Sequence, residues 1–230
     1  MSQTIELIAA DGARIPAYIA RPAGQPKGGL VVVQEIFGVN QHIRAVADGY
    51  AQDGYLAVAP HLFHRVQPGA ELGYEQPDIA AGAGYKQQTD KLPAPGVLQD
   101  VQAAIDYATR ESGGKTGIVG YCWGGLVTWR AACGLKGLAA AVTYYGGGMT
   151  TVPEEVARQP QVPVLSHFAE RDQHIPIPKV EAFKKQHPEV EVLLYPADHG
   201  FNCDLRGAWE PESAKLARQR TLAFLAKYVG

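Results

Sequence analysis

The sequence predicts an α/β fold of three layers, α/β/α, with a mostly parallel sheet and an antiparallel N-terminal edge. Three observations carry this. Short β-branched apolar runs bounded by Gly or Pro recur along the chain; stretches of helical length separate them; and the opening segment alternates apolar with polar residues around Asp11-Gly12.

The runs Val31–Val33, Leu56–Ala59, Thr116–Val119, Leu138–Tyr145, Val162–His167 and Val190–Tyr195 read as strands buried on both faces. Between them, Gln41–Asp53, Val97–Glu111, Leu126–Gly134, Pro178–His187 and Glu210–Tyr228 read as helices. Thr4–Leu7 and Arg14–Ala20 flank the Asp-Gly turn and read as a hairpin added to the edge of the parallel core. Residues 60–95 hold several Gly and Pro residues and no clear strand, so they read as an excursion that shapes a pocket. With 230 residues and neither repeat nor low-complexity linker, residues 1–230 are expected to form one domain.

Composition narrows the function. Hydrophobic residues make up 46% and charged residues 19%, as in an ordinary globular enzyme. The 21 basic and 23 acidic side chains give a net charge of −2 with no block of like sign, so neither nucleic acid nor a membrane surface is an expected partner. No basic-then-apolar leader opens the sequence and no apolar run is long enough to span a bilayer, so a cytoplasmic monomer acting on a small molecule is expected. Three cysteines without a CxxC pair indicate neither a disulfide framework nor a thiolate zinc site. The seven histidines show no ligand spacing beyond a weak His61-x-x-His64, so no metal and no cofactor is expected.

The chemistry centres on Gly120-Tyr121-Cys122-Trp123-Gly124-Gly125. A nucleophile on a tight strand-to-helix turn needs small neighbours, and here a strand precedes and a helix follows, as in the α/β-hydrolase fold. The attacking atom is sulfur, at a helix N-terminus whose dipole favours thiolate. A triad on this fold takes its acid and then its histidine later in the chain. Asp172 follows the Val162–His167 strand and is the nominated acid, with Glu170 its competitor; His199 follows Val190–Tyr195 and is the nominated base, with His174 a lesser rival. Asp198, adjacent to His199, is expected to bond the loop backbone. The Trp123 amide and the Ile36 amide are the expected oxyanion donors. Glu35, a carboxylate at the end of an apolar strand, reads as either a loop charge or a group that controls the Cys122 thiol.

Gln34-Glu35-Ile36-Phe37-Gly38-Val39-Asn40, Gly120 to Gly125, Tyr144-Tyr145-Gly146 and His199-Gly200-Phe201, taken in order, resemble the dienelactone hydrolase (carboxymethylenebutenolidase) family over nearly the whole chain. The resemblance implies a Cys122–Asp172–His199 triad, thiol activation by Glu35, and hydrolysis of a cyclic enol ester through a thioester. In the best-known members this converts dienelactone to maleylacetate during chloroaromatic degradation. It also suggests Tyr85, Tyr145, Phe201 and Arg206 as substrate contacts. The sequence departs from those members at both carboxylate-binding arginines: no arginine precedes Tyr85-Lys86, and the position four residues after His199 is Cys203, with Arg206 close by. A non-hydrolytic thiol-redox or small-molecule-binding protein on the same fold is the alternative reading.

Overall fold

A computed structural model describes residues 2–230. Eight strands form one sheet: β1 (Ser2–Ile8), β2 (Arg14–Ala20), β3 (Gly29–Val33), β4 (Leu56–Pro60), β5 (Thr116–Tyr121), β6 (Leu138–Tyr144), β7 (Val164–Ala169) and β8 (Val190–Tyr195). Their spatial order is β1-β2-β4-β3-β5-β6-β7-β8. The β1/β2 and β2/β4 pairs are antiparallel and every other pair is parallel. The hairpin register runs from Ser2 opposite Ala20 to Ile8 opposite Arg14. Gly12 takes the left-handed φ of +85° that this turn requires.

Seven helices complete the fold: α1 (Gln41–Gln52), α2 (Gln76–Asp90), α3 (Leu98–Ser112), α4 (Trp123–Gly134), α5 (Pro153–Val156), α6 (Ile177–Gln186) and α7 (Pro211–Tyr228). Every residue of β3, β4 and β5 is buried, so both faces of the sheet centre are covered. α1 and α3 pack on β3 and β4, α4 on β5 and β6, and α7 on β6 and β7. This is the expected α/β/α layering of an α/β-hydrolase-type fold.

Two expectations need correction. Residues 60–95 are not wholly irregular, because α2 lies within them. Its Ala80-Ala81-Gly82-Ala83-Gly84 run carries no apolar stripe, so periodicity could not reveal it. Pro77 in its first turn and the Asp78 carboxylate, which accepts from the Glu75 amide at 3.1 Å, start the helix. The second correction is that α4 begins at Trp123 rather than Leu126, directly after the cysteine.

The strand order fixes where a ligand can sit. From β3 the chain moves to β4 on one side and then returns to β5 on the other, so β3 and β5 flank the point where the winding reverses. Loops leaving the carboxyl ends of two such strands diverge and leave a crevice. Glu35 and Ile36 follow β3, and Cys122 follows β5.

Candidate active site

Cys122 sits at φ +55°, ψ −117°, one of two non-glycine residues with positive φ among those described. Such a conformation persists only where its surroundings enforce it. The Cys122 amide donates to the Tyr144 carbonyl at 3.0 Å, and its carbonyl accepts from the Gly125 amide at 2.9 Å. The flanking glycines are required by close approach. A Cβ at Gly120 would lie 2.1 Å from the Gly124 carbonyl oxygen, and one at Gly124 would lie 2.4 Å from the Gln34 oxygen and 2.5 Å from that of Val33. A Cβ at Gly125 would meet Gly146 Cα at 2.8 Å. The same glycines therefore press the cysteine turn against the β3 loop.

His199 Nε2 lies 3.1 Å from Cys122 Sγ, and its Nδ1–H donates to Asp172 Oδ2 at 2.6 Å. Asp172 Oδ1 accepts from the amides of His174 (2.8 Å) and Ile175 (3.2 Å), which holds the carboxylate in place. Burial opposes ionisation of Asp172, but His199 and the His174 amide outweigh it and keep the carboxyl below its usual range. Burial likewise opposes charge on His199. The Cys122 charge and the Asp172 hydrogen bond prevail and lift its pKa to about 10. Glu170 is exposed, leaving Asp172 as the carboxylate on the ring. Asp198 does not bond the loop backbone through its side chain as expected; it pairs with Arg171 at 3.2 Å on the surface. The His174 ring stands edge-on to that of His199, with centroids 5.3 Å apart.

Glu35 is 1% exposed, with Oε1 accepting from Arg206 Nη1 at 3.1 Å and Oε2 lacking a partner. The Arg206 guanidinium lies over the rings of Phe37 and Tyr74. Gly200 makes this path possible, since a Cβ there would come within 2.4 Å of Arg206 Nη1. Burial and the Glu35 charge push the Cys203 thiol up to about 11, and burial pushes Cys133 up to about 12.

A cavity of about 630 Å³ opens over Cys122, walled by Ile36, Trp123, Leu126, Arg130 and His199 among others, with Arg206 at one side. Trp123 opens α4, and the first amides of a helix have no acceptor within it. Among the described residues neither the Ile36 nor the Trp123 amide donates to a backbone carbonyl. The indole of Trp123 stacks on Phe63 and donates to Asp90 at 3.3 Å. Gly82 of α2 abuts this region, and a Cβ there would fall 2.2 Å from the Ile36 carbonyl oxygen.

Of the suggested substrate contacts, Arg206 alone is on the cavity wall. Tyr85 packs edge-on against Phe63. Tyr145 and Phe201 are fully buried behind His199, where the Tyr145 ring supports the imidazole at 5.1 Å. Their side chains form the bed of the site because the turns after β6 and after His199 fold them inward. Sequence reasoning missed Lys86 and Arg130, two cations on the wall. Lys86 pairs with Asp90 at 2.6 Å, and Arg130 pairs with Glu155 at 2.9 Å. The four-residue spacing of Lys86 and Asp90 is a helical signal that was readable only once α2 was known.

The model of the dienelactone hydrolase family matches residues 15–229. The chain belongs to the dienelactone hydrolase family. A Salmonella typhi protein named "Putative carboxymethylenebutenolidase" is 36% identical, with the match covering 100% of this chain and 89% of that protein. A Synechocystis protein of the same name is 34% identical over 94% of this chain and 93% of its own length. Among solved structures, a Klebsiella pneumoniae protein described as a "Putative Dienelactone Hydrolase" superposes with a TM-score of 0.86 at 34% identity, covering 99% of both chains. Membership of the dienelactone hydrolase family makes this chain an ester or lactone hydrolase acting on a small molecule. No helix among the described residues is long and apolar enough to cross a membrane.

Proposed function

We propose that Cys122 is the nucleophile of this hydrolase, with His199 as its acid and base and Asp172 as the orienting carboxylate. The contact that carries the reading is the chain Cys122 Sγ–His199 Nε2 (3.1 Å) and His199 Nδ1–Asp172 Oδ2 (2.6 Å) at the floor of the cavity. The thiolate attacks the acyl carbon, and the oxygen that gains charge is held by the Ile36 and Trp123 amides. Nε2–H of the imidazolium gives its proton to the leaving oxygen as the C–O bond breaks, leaving a thioester on Cys122. Nε2 then takes a proton from water, which attacks the thioester and releases the acid and the thiolate.

The proposed substrate class is a lactone or activated ester with a carboxylate met by Arg206. Dienelactone, opened to maleylacetate, fits that description. Glu35, paired with Arg206, is released toward the thiol when the substrate carboxylate claims the guanidinium. The three free cysteines suit the reducing cytoplasm, and the reading includes a monomer.

Trapping with an activated ester and mass spectrometry should place the acyl adduct on Cys122; an adduct confined to Cys133 or Cys203 would overturn the assignment. Iodoacetamide provides a second check at pH 7.5. The elevated pKa values of Cys133 and Cys203 leave each with a thiolate fraction below roughly one in a thousand, so Cys122 should be alkylated first.

Gly82→Ala tests the Ile36 amide. Alanine favours a helix interior by up to about 1 kcal/mol, yet its Cβ must displace the Ile36 carbonyl. A displacement on the order of 1 Å costs roughly 100-fold in turnover. A fall in kcat with little change in KM is expected, and unchanged kcat would remove Ile36 from the oxyanion site.

A further inference from the structure

Glu35, His42 and Cys203 arrive from the loop after β3, the first turn of α1 and the loop after His199. One ligand atom from each lies within 4.8 Å of the others, and the three residues are 1%, 4% and 0% exposed. Two of their polar atoms, Glu35 Oε2 and His42 Nε2, are buried with no hydrogen-bond partner. Buried polar atoms left unpaired are destabilising and call for a partner. Their companion atoms are occupied: Arg206 holds Glu35 Oε1 at 3.1 Å, and Asp204 accepts from His42 Nδ1 at 3.3 Å. A carboxylate on one imidazole nitrogen directs the other nitrogen's lone pair at a metal.

We propose that Glu35, His42 and Cys203 form a binding site for a zinc-type divalent ion, separate from the Cys122–His199 pair, and that its occupation switches the enzyme off. The donor set of one carboxylate, one imidazole and one thiolate suits zinc and cobalt, whereas magnesium and calcium prefer oxygen shells. The ion displaces the Cys203 thiol proton to solvent, which leaves the carboxylate and the thiolate as its two anionic ligands. Bonds of about 2.0–2.3 Å in a tetrahedron bring the donors to about 3.3–3.8 Å apart, a contraction on the order of 1 Å. Water takes the fourth position. Access is from the surface cleft of about 450 Å³ that His42 walls together with Asn202, Asp204 and Trp209. Binding does not depend on the cysteine-hydrolase reading. The switch does, because a metal on Oε2 immobilises Glu35 and cancels the charge it would bring to Cys122.

The test is a cobalt(II) titration of the full-length Cys122→Ser protein, which removes the sulfur paired with His199. One equivalent should produce a sulfur-to-cobalt charge-transfer band in the near ultraviolet and tetrahedral bands in the visible, and zinc should displace both. The charge-transfer band should vanish in Cys203→Ala. Asp204→Asn, at an exposed position that leaves the fold intact, should weaken binding about 10- to 100-fold. Absence of these bands, their survival in Cys203→Ala, or an affinity indifferent to Asp204→Asn would each overturn the site. With the otherwise wild-type enzyme, zinc should inhibit ester hydrolysis, a chelator should restore it, and Asp204→Asn should raise the inhibitory zinc concentration by the same factor. Inhibition unmoved by Asp204→Asn would place the inhibitory zinc on Cys122 and His199 and overturn the switch while leaving the spectroscopic site standing.

Discussion

Replacing Cys122 by alanine is expected to lower kcat for ester or lactone hydrolysis by on the order of 10⁴-fold or more, equivalent to about 5.5 kcal/mol of transition-state stabilisation. The size follows from the proposed mechanism. Without sulfur there is no thioester, so the reaction falls back on water oriented by His199 and on the two amides. The cavity and its lining remain, so substrate analogues should still bind with KM-like affinity. Alanine occupies the same strained φ of +55°, and the hydrogen bonds that hold the turn run through the backbone, so the thermal midpoint should move little. Steady-state kinetics with an aryl ester, beside a melting curve for each protein, decide the matter. Turnover above a tenth of wild type in a folded Cys122→Ala protein would remove the thiol from the mechanism.

Most of the architecture was legible because parallel strands buried on both faces must be continuous apolar runs, and six of them stood out between helical stretches. The positions of Cys122, Asp172 and His199 were legible for a related reason: each lies within three residues of, or four beyond, the end of such a strand, where a loop can aim a side chain over the sheet. α2 was hidden because it approaches the Ile36 loop through Gly82 and buries little else, so it carries no periodic apolar signal. Tyr85, Tyr145 and Phe201 illustrate another limit. Their backbone neighbourhood was readable, but whether a ring turns toward a cavity or beneath it is settled by packing across elements. The Glu35, His42 and Cys203 cluster shows this most fully, since a search for ligand spacing along one helix cannot see donors that come from opposite ends of the sequence.

Asp172→Asn is expected to produce the second largest loss, within the roughly 10²- to 10⁴-fold range of general acid–base catalysis, and to change the pH profile as well as the rate. In the wild-type protein the Asp172 carboxylate fixes the tautomer of His199 through Nδ1 and, together with the Cys122 charge, lifts the imidazole pKa to about 10 against the opposing effect of burial. In the proposed mechanism the protonated ring is the acid that releases the leaving oxygen. Activity should therefore persist through neutral pH and fall as pH rises through about 10, where that proton is lost. An amide at position 172 removes one of the two charges that raise the imidazole pKa, while the buried surroundings that lower it stay in place. The alkaline limb should then move to lower pH, toward the ordinary histidine range, together with the drop in rate. A purely structural role for Asp172 predicts a different signature, with less active protein at every pH and an unmoved limb. Profiles of kcat/KM from pH 6 to 11 on an ester whose own hydrolysis is subtracted separate the two. A profile of unchanged shape would show that Asp172 holds the loop through the His174 and Ile175 amides but does not set the charge on His199.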